Sequence, residues 1–288
     1  MKANLWHAVY GDVPTHRTPV LFLPGGMSTA RDWPAPLLDV VSARRPAHLF
    51  DLREMGRCAW PTHANEADEY DLPQMADDVL HAMDVHGLRT AHLVGCSMGG
   101  AIAQLVAHAR PTRIRSLTLL MSTSAAGSGE TVQPPPSARM LAGIRREWEL
   151  HAAGNSEGAL VWRAHTMAYP ERLVPGEAAR YARRATAHGF NSGARHAQAF
   201  SRAPSRIGLL GRLPMPALVV HGSDDEMFPL AHALLMRDAL PDARLRVYPG
   251  MGHFISNARS ASIGADLDAF FDEVEEAREA GVARSRKI

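Results

Sequence analysis

One stretch of this chain concentrates the residue types that nucleophilic catalysis needs. Gly95-Cys96-Ser97-Met98-Gly99-Gly100 follows the apolar run Ala91-His92-Leu93-Val94 and leads into the helix-favouring Ala101-Ile102-Ala103-Gln104-Leu105. A GxSxG element between a strand and a helix forces its central serine into a strained backbone conformation, and the flanking glycines leave room for it. Ser97 would then stand exposed at the C-terminal edge of a sheet. The Met98 N–H, at the helix start, would point into the same space as a donor to a developing oxyanion. A serine hydroxyl is a weak nucleophile at neutral pH, so it needs a base within hydrogen-bond reach and a carboxylate to orient that base.

Both are expected later in the chain. The strand at 217–221 runs into Gly222-Ser223-Asp224-Asp225-Glu226, and the strand at 244–248 runs into Pro249-Gly250-Met251-Gly252-His253-Phe254. His253 is one of fifteen histidines, but its place after the final strand brings it to the same sheet edge as Ser97, so it is read as the base. Asp224 and Asp225 both qualify as the orienting acid. A second oxyanion donor is expected from Pro24-Gly25-Gly26-Met27, which follows the strand at 20–23; each such donor is worth about 2.7–4 kcal/mol of barrier.

The elements that must position these groups follow from the hydrophobic pattern. Short β-rich runs at 20–23, 48–52, 91–96, 116–121, 217–221 and 244–248 alternate with helical stretches at 72–86, 101–109, 230–239 and 258–276. Strands that read as continuous apolar runs between helices imply a mostly parallel sheet covered on both faces. From residue 122 to about 214 the alternation stops and helical periodicity takes over. This segment opens on a Ser/Gly-rich piece at 122–129, is stiffened by Pro134-Pro135-Pro136, and closes at Pro214 and Pro216. It reads as an inserted helical cap with hinge-like joints. The expected organisation is a core of residues 1–122 and 214–277, a cap of 123–213 and a polar tail of 278–288. Met27, the cap residues Trp148, Trp162 and Met167, and Phe254 are the candidate substrate contacts, giving a mixed apolar pocket. The cap arginines Arg145, Arg146, Arg183 and Arg184 read as a solvated helix face.

Composition narrows the function. The 31 Lys+Arg against 30 Asp+Glu leave a net charge of +1, so no global field draws the protein to nucleic acid or to an anionic membrane. No apolar run approaches the ~20 residues needed to span a bilayer, and the first residues lack a secretory pattern, so a cytoplasmic protein is expected. Cys58 and Cys96 are too few for a disulfide framework and lack CxxC spacing. HExxH, P-loop and GxGxxG patterns are missing from the sequence, so no metal and no cofactor is implied.

Four segments together resemble the α/β-hydrolase superfamily: GxSxG at 95–99, HGxxD at 221–225, PGMGH at 249–253 and DLREMGR at 51–57, in family order. The resemblance implies a mostly parallel, eight-stranded sheet. It also selects Asp225 as the acid, being the fifth residue of HGxxD, and Gly26 as the second oxyanion donor. Within the superfamily the Gly25-Gly26 loop, DLREMGR and PGMGH are similar to aclacinomycin methylesterase and related polyketide esterases. Pro24 stands where a histidine is common, and Glu54-Met55 stand where the RGxG turn usually carries Gly-His. Haloalkane dehalogenases and epoxide hydrolases carry aspartate at the position of Ser97, which sets their chemistry aside.

The expected activity is hydrolysis of a carboxylic, including methyl, ester of a small and largely apolar molecule through an acyl-enzyme, by a monomer or homodimer. Lactone or thioester hydrolysis, C–C cleavage and perhydrolysis use the same groups. A non-catalytic small-molecule binding protein is the alternative of another class.

Overall fold

A computed structural model describes residues 2–11, 16–58, 69–124, 133–189 and 193–285. Seven strands, β1 (His7–Tyr10), β2 (Val20–Leu23), β3 (Ala47–Phe50), β4 (Ala91–Cys96), β5 (Ile114–Leu120), β6 (Ala217–Gly222) and β7 (Ala243–Tyr248), form one sheet. Their order is β1-β3-β2-β4-β5-β6-β7, parallel throughout except for the antiparallel pairing of β1 with β3. Register aligns Leu21, Leu93 and Leu117 across β2, β4 and β5. The chain crosses between the two halves of the sheet beside β2 and β4, the topological switch where open α/β sheets hold ligands beyond their strand ends.

The resemblance implies eight strands; the described residues form seven. Residues ahead of β1 spend their backbone groups elsewhere: the Ala3 N–H donates to Asp78 at 2.6 Å and the Trp6 carbonyl accepts from Asp51 N–H at 3.1 Å. The first contact reaches α2 and the second extends the β1–β3 pairing by one residue, so neither belongs to an eighth strand. β1 itself was not expected, because a four-residue, partly exposed edge strand has no apolar run to announce it.

Alternate side chains of the central strands feed two apolar layers. Leu21, Leu23, Leu93, Leu117 and Val219 pack with α2 (Leu72–Val85), α3 (Met98–Ala109) and α9 (Ala231–Ala239). Val20, Phe22, Val94 and Val220 pack on the opposite side with α1 (Ala35–Ser42) and α10 (Asn257–Ser285). Each fully buried large apolar side chain contributes about 1.5–3 kcal/mol relative to exposure. The ends of α2 are legible in the sequence: Asp71 accepts the Gln74 N–H at 2.8 Å while Gln74 accepts the Asp71 N–H at 3.1 Å, a reciprocal cap that starts the helix.

Between β5 and β6 the described residues contain helices only: α4 (Ala138–Ala152), α5 (Ser156–Ala168), α6 (Glu177–Ala187), α7 (Ala194–Ser201) and the short α8 (Ile207–Leu210). Leu160, Ala164, Ala178, Tyr181, Ala182 and Ala185 give α5 and α6 a small core of their own. From residue 125 the Ser/Gly-rich joint lies outside the described residues. The tail expected from 278 instead continues α10 as far as Ser285. Arg45, fully buried, pairs with Asp268, Asp272 and Glu275, so the helix is nucleated and anchored. Its Ala, Glu and Arg residues then propagate it at little cost. No helix among the described residues is long and apolar enough to cross a membrane.

Candidate active site

Ser97 sits at the turn from β4 into α3 with φ 52° and ψ −118°. A side chain at Gly95 would put its Cβ 2.4 Å from the Gly99 carbonyl oxygen, and one at Gly99 would come within 2.4 Å of the Leu23 and Pro24 carbonyl oxygens. Backbone cannot yield as a flexible side chain can, so both positions must be glycine for the turn to close against the β2 loop. The Ser97 N–H donates to Leu120 O at 2.8 Å and its carbonyl accepts from Ser122 Oγ at 2.8 Å. The strained residue is thereby fixed from β5 on both of its backbone groups.

His253 and Asp225 arrive from the ends of β7 and β6. The His253 Nε2 lies 3.0 Å from Ser97 Oγ, and its Nδ1 lies 2.7 Å from Asp225 Oδ2. A carboxylate can only accept, so Nδ1 carries the proton and Nε2 is left to accept from the serine hydroxyl. The His253 N–H donates to the Met167 carbonyl at 2.6 Å, which ties the loop to the end of α5. Asp225 is buried, and its Oδ1 takes the N–H groups of Met227 and Phe228, each at 2.9 Å. Burial pushes the Asp225 carboxyl up. The His253 charge and hydrogen bond, with His221 and the Phe228 N–H, outweigh that and hold it below its ordinary range. Asp224, the other candidate acid, is exposed and accepts from Ser223 Oγ and from the Gly250 N–H. The two neighbours in the chain point to different surroundings, and only Asp225 meets the imidazole.

Gly26 lies against Met98: a Cβ on Gly26 would be 3.5 Å from the Met98 Cβ. As the first residue of α3, Met98 has an N–H with no intrahelical acceptor. Both N–H groups thus belong to backbone segments that meet beside Ser97. Cys96, the preceding residue, also lines the cavity, but burial and then the Asp225 charge push its thiol up to about 12, which disfavours the thiolate.

A cavity of 320 Å³ opens over Ser97 and His253. Methionines at 27, 98, 121, 167 and 227 line it together with Trp33, Trp148, Phe200, Phe228 and Phe254. Unbranched thioethers beside aromatic rings make an apolar wall that can repack around its contents. Of the expected contacts, Met27, Trp148, Met167 and Phe254 line the cavity and Trp162 does not. Trp162 is 44% exposed and donates its indole N–H to the Gly143 carbonyl at 3.0 Å. One residue further along α5, Arg163 faces inward with Met167, so the helical turn carries residue 162 away from the cavity. Arg145, Arg146, Arg183 and Arg184 are exposed. Sequence reasoning missed Arg163 and His196, both buried cap residues that line the cavity. Their partners lie in distant segments, and no local spacing marks them.

Residues 18–256 match the family model of the alpha/beta hydrolase fold. The chain belongs to that family. The rhodomycin D methylesterase DauP of Streptomyces sp. (strain C5) is 28% identical, with 93% of this chain and 95% of that protein aligned. A 2-hydroxy-6-oxononadienedioate/2-hydroxy-6-oxononatrienedioate hydrolase of Pseudomonas sp. is 29% identical over 60% of this chain and 59% of its own length. Among solved structures, the esterase RhEst1 from Rhodococcus sp. ECU1013 superposes with a TM-score of 0.76 at 20% identity, covering 93% of this chain and 94% of that one. That structural likeness concerns the fold.

Proposed function

We propose that the protein is a serine hydrolase that cleaves a carboxylic ester of a small, largely apolar molecule through an acyl-enzyme. The observation that carries this reading is the continuous relay from Ser97 Oγ through His253, 3.0 Å on one side, to Asp225, 2.7 Å on the other. Ser97 Oγ attacks the acyl carbon while His253 Nε2 takes its proton. The charge that develops on the carbonyl oxygen is met by the N–H groups of Gly26 and Met98. Collapse of the tetrahedral intermediate expels the alcohol, which receives the proton from the imidazolium. Water, deprotonated by His253, then attacks the acyl-enzyme, and collapse returns the proton to Ser97. Asp225 holds the imidazole in the required tautomer and stabilises its charged form.

The apolar cavity favours an ester over the dicarboxylate named for the Pseudomonas relative. The one cap cation lining the cavity among the described residues, Arg163, already serves Glu147 through Nε at 2.8 Å and through Nη2, and donates to the Met27 carbonyl at 2.7 Å. A second carboxylate would therefore enter without a dedicated partner. The test is turnover of a panel of aromatic and polycyclic methyl esters, lactones, acyl thioesters and vinylogous diketones, with fluorophosphonate labelling of wild type and Ser97→Ala. Methyl ester turnover with labelling lost in the variant is expected. Turnover confined to diketones, or labelling that survives the substitution, overturns the reading.

A further inference from the structure

Met27 directly follows the oxyanion-loop glycine, and its φ is 58°, a left-handed conformation that a side chain resists. Such a residue persists only where its surroundings hold it. Here both of its backbone polar groups are held from the cap. The Met27 N–H donates to His196 Nδ1 at 3.3 Å, from α7, and the Met27 carbonyl accepts from Arg163 Nη1 at 2.7 Å, from α5.

Each holder is fixed in turn. His196 is fully buried, and its Nε2 lies 2.8 Å from the Arg53 carbonyl oxygen. A carbonyl only accepts, so Nε2 bears the hydrogen and Nδ1 keeps its lone pair for Met27. Burial pushes His196 down to about 4, so the ring stays neutral and the acceptor stays available. Arg163 is oriented by Glu147, itself buried. The start of α7 also presses on the same residue. Gly193 has φ 64°, and a Cβ there would stand 2.3 Å from Met27 Cγ.

We infer that His196 and Arg163 are positioning residues: a clamp carried by the cap that sets the backbone of the oxyanion loop and so the aim of the Gly26 N–H. The Met27 N–H belongs to the peptide plane attached to the Gly26 Cα, so holding it removes rotational freedom from a residue that has no side chain to do so. The oxyanion hole is complete only when the cap is seated, and the cap is part of the catalytic geometry as well as the wall of the cavity. This inference rests on the serine-hydrolase reading.

Two isosteric substitutions separate the clamp from simple packing. In His196→Asn the amide oxygen can occupy the place of Nδ1 and accept from Met27; in His196→Gln the amide nitrogen can reach the place of Nε2 and donate to Arg53, but Met27 is left without its acceptor. Because the oxyanion exists only in the transition state, the effect belongs in kcat. His196→Gln is expected to lower kcat about 10- to 100-fold with KM within about twofold, and to weaken a trifluoromethyl ketone inhibitor by a similar factor. His196→Asn is expected to recover most of that loss. Equal losses in the two variants, a His196→Gln enzyme with wild-type kcat, or a loss confined to KM overturns the clamp.

Should thermal melting show His196→Gln unfolded, Gly193→Ala decides, since its methyl would press on Met27 Cγ and its φ of 64° would strain the start of α7, disturbing the clamp without removing a buried hydrogen bond. The same fall in kcat supports the clamp, and wild-type kcat overturns it. Failure of the serine-hydrolase reading looks different: the wild type itself neither hydrolyses esters nor takes phosphonate at Ser97, and both proposals fall together. Failure of the clamp alone leaves an active wild type.

Discussion

Two buried aspartates among the described residues, Asp225 and Asp51, each hold a histidine ring nitrogen at close hydrogen-bond distance, and the two histidines stand in different surroundings. His253 and Asp225 meet at 2.7 Å, and His188 and Asp51 meet at 2.8 Å. The distances are the same within ordinary hydrogen-bond scatter, so the pair by itself decides nothing. What differs is the surroundings. The far nitrogen of His253 faces a serine hydroxyl in a strained turn at the mouth of a cavity, whereas His188 packs edge-on against Trp6 with ring centroids 4.7 Å apart. Asp51 also accepts the Ala30 N–H at 2.7 Å and the Arg57 N–H at 2.9 Å. Asp51 therefore joins the loop after β2, the turn after β3 and the C-terminal end of α6. The first pair moves protons in the proposed reaction; the second fastens the cap to the core.

The largest effect that would break this contrast is catalytic. Asp225→Asn keeps the shape of the site but lets the imidazole adopt the wrong tautomer, and an expected loss of about 10³- to 10⁴-fold in kcat follows from the role assigned to it. Steady-state hydrolysis of an active methyl ester reads this directly. A loss below tenfold would mean that His253 is oriented by something else.

Asp51→Asn is expected to do the opposite: activity within a few-fold of wild type, and stability lowered by about 2–3 kcal/mol, because several buried donors lose a charged acceptor. Melting temperature would fall by roughly 2–4 °C for each kcal/mol at this size. If the kinetic loss matched that of Asp225→Asn, the division of labour between the two pairs would be wrong.

The Asp225 carboxylate should also show itself in acid. The Asp225 carboxyl is held below its ordinary range in the folded protein, so its contribution to stability is fully present above the unfolded value of about 3.9 and is lost as pH falls through the folded value. Asp225→Asn has no such group to protonate, and its stability should fall less steeply in that window. Parallel loss of melting temperature in wild type and variant as pH falls below about 4 would count against the assigned electrostatics.

Much of this contrast was legible in the sequence because it is local. GxSxG, the loop after 244–248 and the Gly25-Gly26 loop each carry their own spacing, and the parallel sheet brings all three to one edge. Residue type and loop position leave Asp224 and Asp225 open, since the choice depends on which of two adjacent carboxylates turns toward a ring 28 residues away in sequence, and it is the HGxxD resemblance that selects Asp225. The fastening pair, Asp51 with His188, and the clamp of His196 on Met27 span 137 and 169 residues. No periodicity records such partners. β1 and α1 escaped notice for a different reason: four residues in one and eight in the other give too few repeats for a pattern to stand out.

Trp148 and Trp162 supply the smallest and most discriminating contrast, because both were expected to meet substrate and only Trp148 lines the cavity. An aromatic side chain buried against an apolar ligand is worth about 1–2 kcal/mol of binding when lost, so Trp148→Ala should raise KM roughly 5- to 30-fold for an aromatic ester. Trp162→Ala removes a half-exposed ring and one hydrogen bond to Gly143 O, so it should alter stability by about 1 kcal/mol or less and leave KM within about twofold. The comparison holds the residue type constant and moves it from the cavity side of α4 to the outer face of α5. A Trp162→Ala enzyme with the larger KM change would place the substrate on the outer face of α5 and would require the cap to sit differently during turnover.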